Sequence, residues 1–231
     1  MKNNAQPFAL IFDMDGTMID SNPTHKEAFE RFFAQYDIEM TDEDFINYVS
    51  GRMNPDIMKH FFGDAISSQK ITALTREKEL LFQELFAPKI KPIKGLLPFL
   101  KKAREKGIPM ALATSAPKMN IEFVFTHIPL SDYFPHIVHD RNVKKGKPAP
   151  EIFLKAARKL RYPPERCIVF EDSKAGVEAA QAAGMTVVVL TTTHSAGELE
   201  GADWVINDFS EATITKLNKL ASLKEKIAFS K

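Results

Sequence analysis

Cys167 is the only cysteine in 231 residues, so no disulfide can form within the chain and the fold must rest on a buried core. It opens the apolar run CIVF, which suits a buried structural thiol; a reactive one needs an electropositive, partly exposed setting. Charge of one sign is equally scarce. With 31 Lys and Arg against 30 Asp and Glu, no net field favours nucleic acid or an anionic membrane surface, and selectivity for any partner has to be local. Long hydrophobic runs are also missing. The N-terminal run FALIF is cut off by Asp13, too short for a signal-peptide core, and no stretch is long enough to span a bilayer, so a cytoplasmic protein is expected. Internal repeats and low-complexity tracts are absent. Tryptophan occurs once, as Trp204 in an apolar segment where packing is the better reading. The chain is 44% hydrophobic and can bury its own core, so a monomer is expected.

What is present is an alternation of short apolar runs with longer amphipathic ones, the pattern of an α/β fold with a doubly wound, Rossmann-like parallel sheet. Phe8–Phe12, Met110–Thr114, His136–Val138, Cys167–Phe170, Thr186–Leu190 and Trp204–Ile206 read as strands. Leu96–Lys106, Lys118–His127, Glu151–Leu160 and Ser173–Ala183 read as the helices between them. Between residues 21 and 90 the pattern is helical throughout. Phe29, Phe32, Phe33 and Tyr36 fall on one face, and Ile57–Phe62 and Leu74–Phe86 continue it. The expected organisation is a catalytic core from residues 1–20 and 91–231 with a helical cap, residues 21–90, inserted after the first strand. The last stretch, KLNKLASLKEKIAFSK, is basic and amphipathic and reads as a surface helix.

Four polar clusters each stand at the end of an expected strand or at the start of the helix that follows, where open parallel sheets place ligands. In Asp13-Met14-Asp15-Gly16-Thr17, two carboxylates at spacing two share one side of an extended segment, Met14 points away, and Gly16 permits a sharp turn. Thr114-Ser115 offers hydroxyls and backbone N–H groups to an anion. Lys147 stands in GKPAPEIF, and that context separates it from Lys144 and Lys145. Glu171-Asp172-Ser173 follows IVF; the two acids could cap the next helix, as could Ser173. Asp13, Asp15, Glu171 and Asp172 converging in one site would repel unless a dication and a lysine offset them, and oxygen-only ligands favour Mg²⁺. A phosphoryl group, itself anionic, would be screened by the same metal and Lys147, which points to phosphoryl transfer.

The motifs FDMDGT, LATS, GKPAPEIF and FEDSKAG, in this order and with a helical insertion after the first, resemble those of the haloacid dehalogenase superfamily, in its phosphatase and β-phosphoglucomutase-like branch. The resemblance implies that Asp13 attacks phosphorus to form an aspartyl-phosphate and that Asp15 serves as acid and then base. It implies Mg²⁺ on Asp13, the backbone carbonyl of Asp15 and Asp172, with Glu171 at or near the metal, and Thr114 and Lys147 on the phosphoryl oxygens. Asp15 argues against dehalogenation, because the dehalogenases of the family carry no acid there. His25 lies twelve residues after Asp13, a spacing like that of the mutase branch; a solvated histidine in a first helical turn is the plain alternative. Arg52 and Lys78 are the cap candidates for the distal part of the substrate. The leading function is a Mg²⁺-dependent phosphatase of a small phosphorylated metabolite, with a sugar phosphate in view. A β-phosphoglucomutase is the rival, weakened because Arg52 directly follows Gly51 instead of standing a few positions later. An inactive phosphate-binding module is the third reading, and it would ordinarily lack the two aspartates.

Overall fold

Strand β1 (Ala9–Phe12) is apolar at every position because both of its faces are covered. Its period of two sorts the residues. Phe8, Leu10 and Phe12 join one core layer, Ala9 and Ile11 the other. The same sorting repeats in β2 (Met110–Ala113), where Met110 and Leu112 oppose Ala111 and Ala113, and in β4 (Cys167–Glu171), where Ile168 and Phe170 oppose Cys167 and Val169. Large residues on one side stack, as Phe12 does on Phe170 with centroids 4.8 Å apart. Small residues on the other side meet alanines, Ala156, Ala157, Ala179 and Ala180, and so let two helices approach closely.

The protein is described here from a computed structural model, which describes residues 6–193, 197 and 199–229. Met1–Ala5, which include the early lysine of the N-terminal segment, and Ser230 and Lys231 of the basic C-terminal stretch lie outside the described residues. With β3 (His136–Val138), β5 (Thr186–Leu190) and β6 (Trp204–Ile206), the strands form one parallel sheet in the order β3-β2-β1-β4-β5-β6. Chain order reverses between β1 and β4, so loops leaving the C-terminal ends of β1, β2 and β4 converge on one crevice. Trp204 is half-buried against the core, with the Lys216 ammonium 3.9 Å from its ring centroid.

Before β2 the chain is helical: α1 (Asn22–Ala34), α2 (Asp42–Asp44), α3 (Asn54–Phe62) and α4 (Ser68–Phe86). Phe29, Phe32, Phe33, Ile57, Met58, Ile71 and Leu74 form a core cluster of their own there. Helices α5 (Leu96–Glu105), α6 (Lys118–His127), α7 (Glu151–Leu160), α8 (Lys174–Ala182) and α9 (Ile214–Phe229) follow; α5, α6 and α9 pack on the Phe-rich side of the sheet and α7 and α8 on the alanine side. One element has no counterpart in the sequence reading. Thr41 and Asp44 build a capping box that starts α2, and the chain then passes into a π-helical turn, Phe45–Val49, closed by Ser50 N–H donating to Phe45 O at 2.8 Å. That extra residue per turn delivers Ser50, Gly51 and Arg52 to the mouth of the crevice.

Candidate active site

The first loop leaves β1 without breaking the ladder, since Asp13 N–H donates to Phe170 O at 3.0 Å. Asp13 and Asp15 line one cavity while Met14 is fully buried in the core, as spacing two on an extended segment requires. Gly16 then turns the chain at φ 72°, and a Cβ there would lie 2.0 Å from Asp172 Oδ2, so only glycine fits. The close approach is fixed by Thr17, whose hydroxyl donates to Asp172 Oδ1 at 3.1 Å.

At the centre lies Lys147, 2% exposed, with Nζ 2.7 Å from Asp13 Oδ1 and also bonded to Glu171 Oε1. Glu171 is fully buried, and its other oxygen accepts from the backbone N–H groups of Asp172 and Ser173, both at 2.8 Å, at the start of α8. Ser173 is the N-cap, accepting from Gly176 N–H at 3.1 Å. Asp172 accepts from Asn22 Nδ2 at 2.9 Å and from the Thr193 hydroxyl. Three buried carboxylates therefore face one ammonium. Burial, with Glu171 and Asp15 adding to it against Lys147, lifts the Asp13 carboxyl to about 8. Burial, then Glu171 and Asp13, pushes Asp172 well above its ordinary value. Burial alone would lower Lys147, but the two carboxylates it touches more than reverse that and raise it.

Asp15 is held by different neighbours. Ser21 donates to Asp15 Oδ1 at 2.7 Å, and His25 Nε2 stands 3.3 Å from the same oxygen. Burial would raise the Asp15 carboxyl, yet His25, Ser21 and Lys78 outweigh it and hold the group below its ordinary value. His25 is stacked on Phe82 at 3.6 Å between centroids and meets Lys78 Nζ at 3.4 Å, so it is a packed residue of the site rather than a solvated one. Lys78 is 1% exposed, paired with Glu79 at 2.6 Å and 4.1 Å from the Phe29 ring centroid. Burial draws its ammonium below the usual value. Glu79 would be raised by burial, but Lys78, His25 and Asn120 keep it ionised below the usual range.

The remaining candidates join the two halves of the molecule. Thr114 Oγ1 accepts from Ala116 N–H at 3.1 Å and lines the cavity. The Ser115 hydroxyl donates to Gly51 O at 2.8 Å, and Arg52 Nη1 donates to Lys147 O at 3.3 Å. Gly51, at φ 74°, passes so close that a Cβ would lie 2.5 Å from Ser173 Oγ. The cavity so enclosed holds about 60 Å³ of water-accessible space, room for a few waters.

Among the described residues no three His, Cys, Asp or Glu side chains group as a metal cage. The donor set still suits a hard dication, because Asp13 and Asp172 offer carboxylate oxygens that are buried and crowded by other acids, which raises both groups and which a bound cation would offset. Glu171 spends its oxygens on Lys147 and the α8 N-terminus, so from there it fixes the lysine and the loop. Sequence reasoning did not find Ser21, Asn22, Asn54, Glu79 or Asn120. A signal was available for the Glu79 pair: Leu74, Lys78, Phe82 and Phe86 share one buried stripe of α4, and a lysine inside such a stripe needs a partner.

Comparison with known proteins agrees with this geometry. Residues 10–190 match the family model described as haloacid dehalogenase-like hydrolase. Protein CbbY of Rhodobacter capsulatus is 30% identical over 222 residues, covering 92% of this chain and 98% of that protein. A phosphorylated carbohydrates phosphatase of Thermotoga maritima is 36% identical over 182 residues, covering 77% and 82%. The crystal structure of CbbY from Rhodobacter sphaeroides in complex with phosphate superposes with a TM-score of 0.80 at 28% identity, covering 91% of this chain and 98% of that one. With an Asp-x-Asp loop and an acidic pair at the ends of two adjoining strands and a buried lysine reaching both from the segment before α7, the chain belongs to the haloacid dehalogenase-like hydrolases, on their phosphatase and β-phosphoglucomutase-like branch, and is a phosphohydrolase.

Proposed function

We propose that the protein is a Mg²⁺-dependent phosphatase of a small phosphorylated metabolite, sugar phosphates above all, working through an aspartyl-phosphate on Asp13. Residues 21–90 act as the cap over a catalytic core of residues 1–20 and 91–231. Mg²⁺, held by Asp13, Asp172 and the backbone carbonyl of Asp15, would supply the positive charge that the three buried acids and an incoming phosphoryl group together require.

The observation that carries this reading is the division of labour between the two aspartates: Asp13 is gripped by Lys147, and Asp15, facing the same cavity, is gripped by Ser21 and His25. An Asp13 oxygen attacks phosphorus, the ester P–O bond breaks, and the departing oxygen takes a proton from Asp15. The phosphoryl dianion arriving beside Asp15 favours its protonated form. Once the alcohol has left, the ionised Asp15 takes a proton from the water that cleaves the aspartyl-phosphate. Lys147 and Thr114 hold the phosphoryl oxygens. Cap closure excludes other water.

Hydrolysis of p-nitrophenyl phosphate tests the proposal. Turnover is expected with Mg²⁺, is lost on chelation with EDTA, and falls at least about a thousandfold in Asp13→Asn. Metal-independent turnover, or an Asp13→Asn variant as active as the wild type, would refute it. The phosphatase reading is preferred to a mutase because Arg52 is engaged with Lys147 O and the curated relatives include named phosphatases. β-Glucose 1-phosphate supplied with a bisphosphate primer should release phosphate faster than it yields glucose 6-phosphate.

A further inference from the structure

We infer that Asn54, oriented by Glu79, makes the site selective for substrates whose non-phosphorylated part is uncharged and carries hydroxyl groups; this rests on the phosphatase reading above. Three buried side-chain atoms among the described residues have no hydrogen-bond partner: Ser50 Oγ, Asn54 Oδ1 and Thr186 Oγ1. Two of the three belong to residues that line the catalytic cavity, and those residues, Ser50 and Asn54, are 5% and 6% exposed. An unpartnered polar atom so deeply buried is costly unless something that binds there completes it.

The chemistry of that partner follows from which way the Asn54 amide points. Its Nδ2 donates to Glu79 Oε1 at 2.7 Å. Turning the amide over would set Oδ1 against a carboxylate, acceptor against acceptor, so the orientation is fixed by charge. Glu79 cannot swing to relieve this. Its second oxygen accepts from Asn120 Nδ2 at 2.7 Å, and Asn120 Oδ1 in turn accepts from Gln83 Nε2 at 2.9 Å. Lys78 pairs with the same carboxylate at 2.6 Å. Asn54 therefore presents an acceptor, backed by an anion, to whatever occupies the cap side of the cavity.

A ligand hydroxyl donates to such an acceptor, and Ser50 can give or take a second hydrogen bond. A carboxylate or a second phosphate brings only acceptor oxygens and negative charge, and meets Asn54 Oδ1 with the Glu79 carboxylate lining the same cavity beside it. Of the two cations that line the cavity, Lys78 is paired with Glu79, and Arg52 is tethered to the Lys147 carbonyl, not to this wall.

Matched pairs that differ only at the far end provide the test, read as inhibition constants against p-nitrophenyl phosphate hydrolysis so that each compound counts whether or not it is turned over. Sorbitol 6-phosphate is compared with 6-phosphogluconate, and glycerol 1-phosphate with 3-phosphoglycerate. The wild type should bind the polyol phosphate about tenfold or more tightly in at least the longer pair. Glu79→Gln should free the amide to turn and raise affinity for the carboxylate member. Because that variant strands Lys78 in a buried site, Asn54→Leu, checked by circular dichroism, is the second arm and should bring the ratio towards one. Equal binding in both pairs, preference for the carboxylate or for a sugar bisphosphate, or an unchanged ratio in Asn54→Leu overturns the inference. Failure of the wild type to hydrolyse p-nitrophenyl phosphate would instead sink the phosphatase reading beneath it.

Discussion

Two buried lysines, each at the centre of a charged cluster, behave in opposite ways. Lys147 faces Asp13, Glu171 and Asp172 in a set that is short of positive charge, and burial, with the neighbouring acids adding to it, pushes the two aspartates up. Lys78 is ion-paired with Glu79 alone, with Asp15 acting on it from farther off, and two asparagines complete the Glu79 carboxylate, so Glu79 stays ionised below its usual range. An unbalanced cluster at strand ends is prepared for ligands that supply what it lacks. A balanced cluster inside a helical layer is finished, and its effect is to aim the groups around it. Neither burial nor the presence of a lysine separates the two; the count of opposing charges does.

The comparison breaks most visibly at Lys147. Lys147→Met leaves three buried acids unopposed, and turnover of p-nitrophenyl phosphate should fall roughly a hundredfold or more, with folding weakened by about 3–5 kcal/mol in urea denaturation. Lys78→Met should cost a similar amount of stability, because it strands Glu79. Here the balanced character offers a sharper test. The double variant Lys78→Met/Glu79→Gln removes both charges while keeping a side chain that can bond Asn54 and Asn120, so it should be less damaging than the sum of the singles by about 2 kcal/mol. Strict additivity would show that the pair is not coupled.

The smallest effect is expected at Cys167, which touches neither cluster. Burial first, and Glu165 second, raise its thiol to about 12. The folded group is therefore protonated at pH 8, and a disulfide exchange reagent should label no thiol in the native protein and one in the unfolded protein. A raised folded value means that this group's contribution to stability is complete below the ordinary thiol pKa and is lost as pH climbs towards 12.

The strand and helix segments could be read from the sequence because each apolar run carries its own period; in the sheet region the structure moves their ends by only a residue or so, as where β4 extends to Glu171 and α5 stops at Glu105, whereas α3 and α4 begin three and six residues before their apolar stripes, at Asn54 and Ser68, because a polar first turn carries no apolar period. Lys147 was separable from its neighbours for a related reason. Pro148 and Pro150 mark its loop, and in the fold Lys147 is buried while Lys144 and Lys145 are exposed and give only their backbone N–H groups to Glu151. The π-helical turn at Phe45–Val49 was not legible, because an added backbone residue leaves no mark on side-chain periodicity. Nor was the bond from Arg52 to Lys147 O, which joins positions 95 residues apart.

By itself the sequence determined the alternating α/β order, the polar loops that end the strands, and the identities of the acids and the lysine in them, since all of these follow from patterns a few residues long. Only the tertiary structure decided that β1 lies between β2 and β4, bringing Asp13, Lys147 and Asp172 together, and that Glu79 takes the Asn54 amide N–H and leaves its oxygen without a partner. Those outcomes depend on how distant segments pack, and the orientation of a buried amide is set by the charge that packing places beside it.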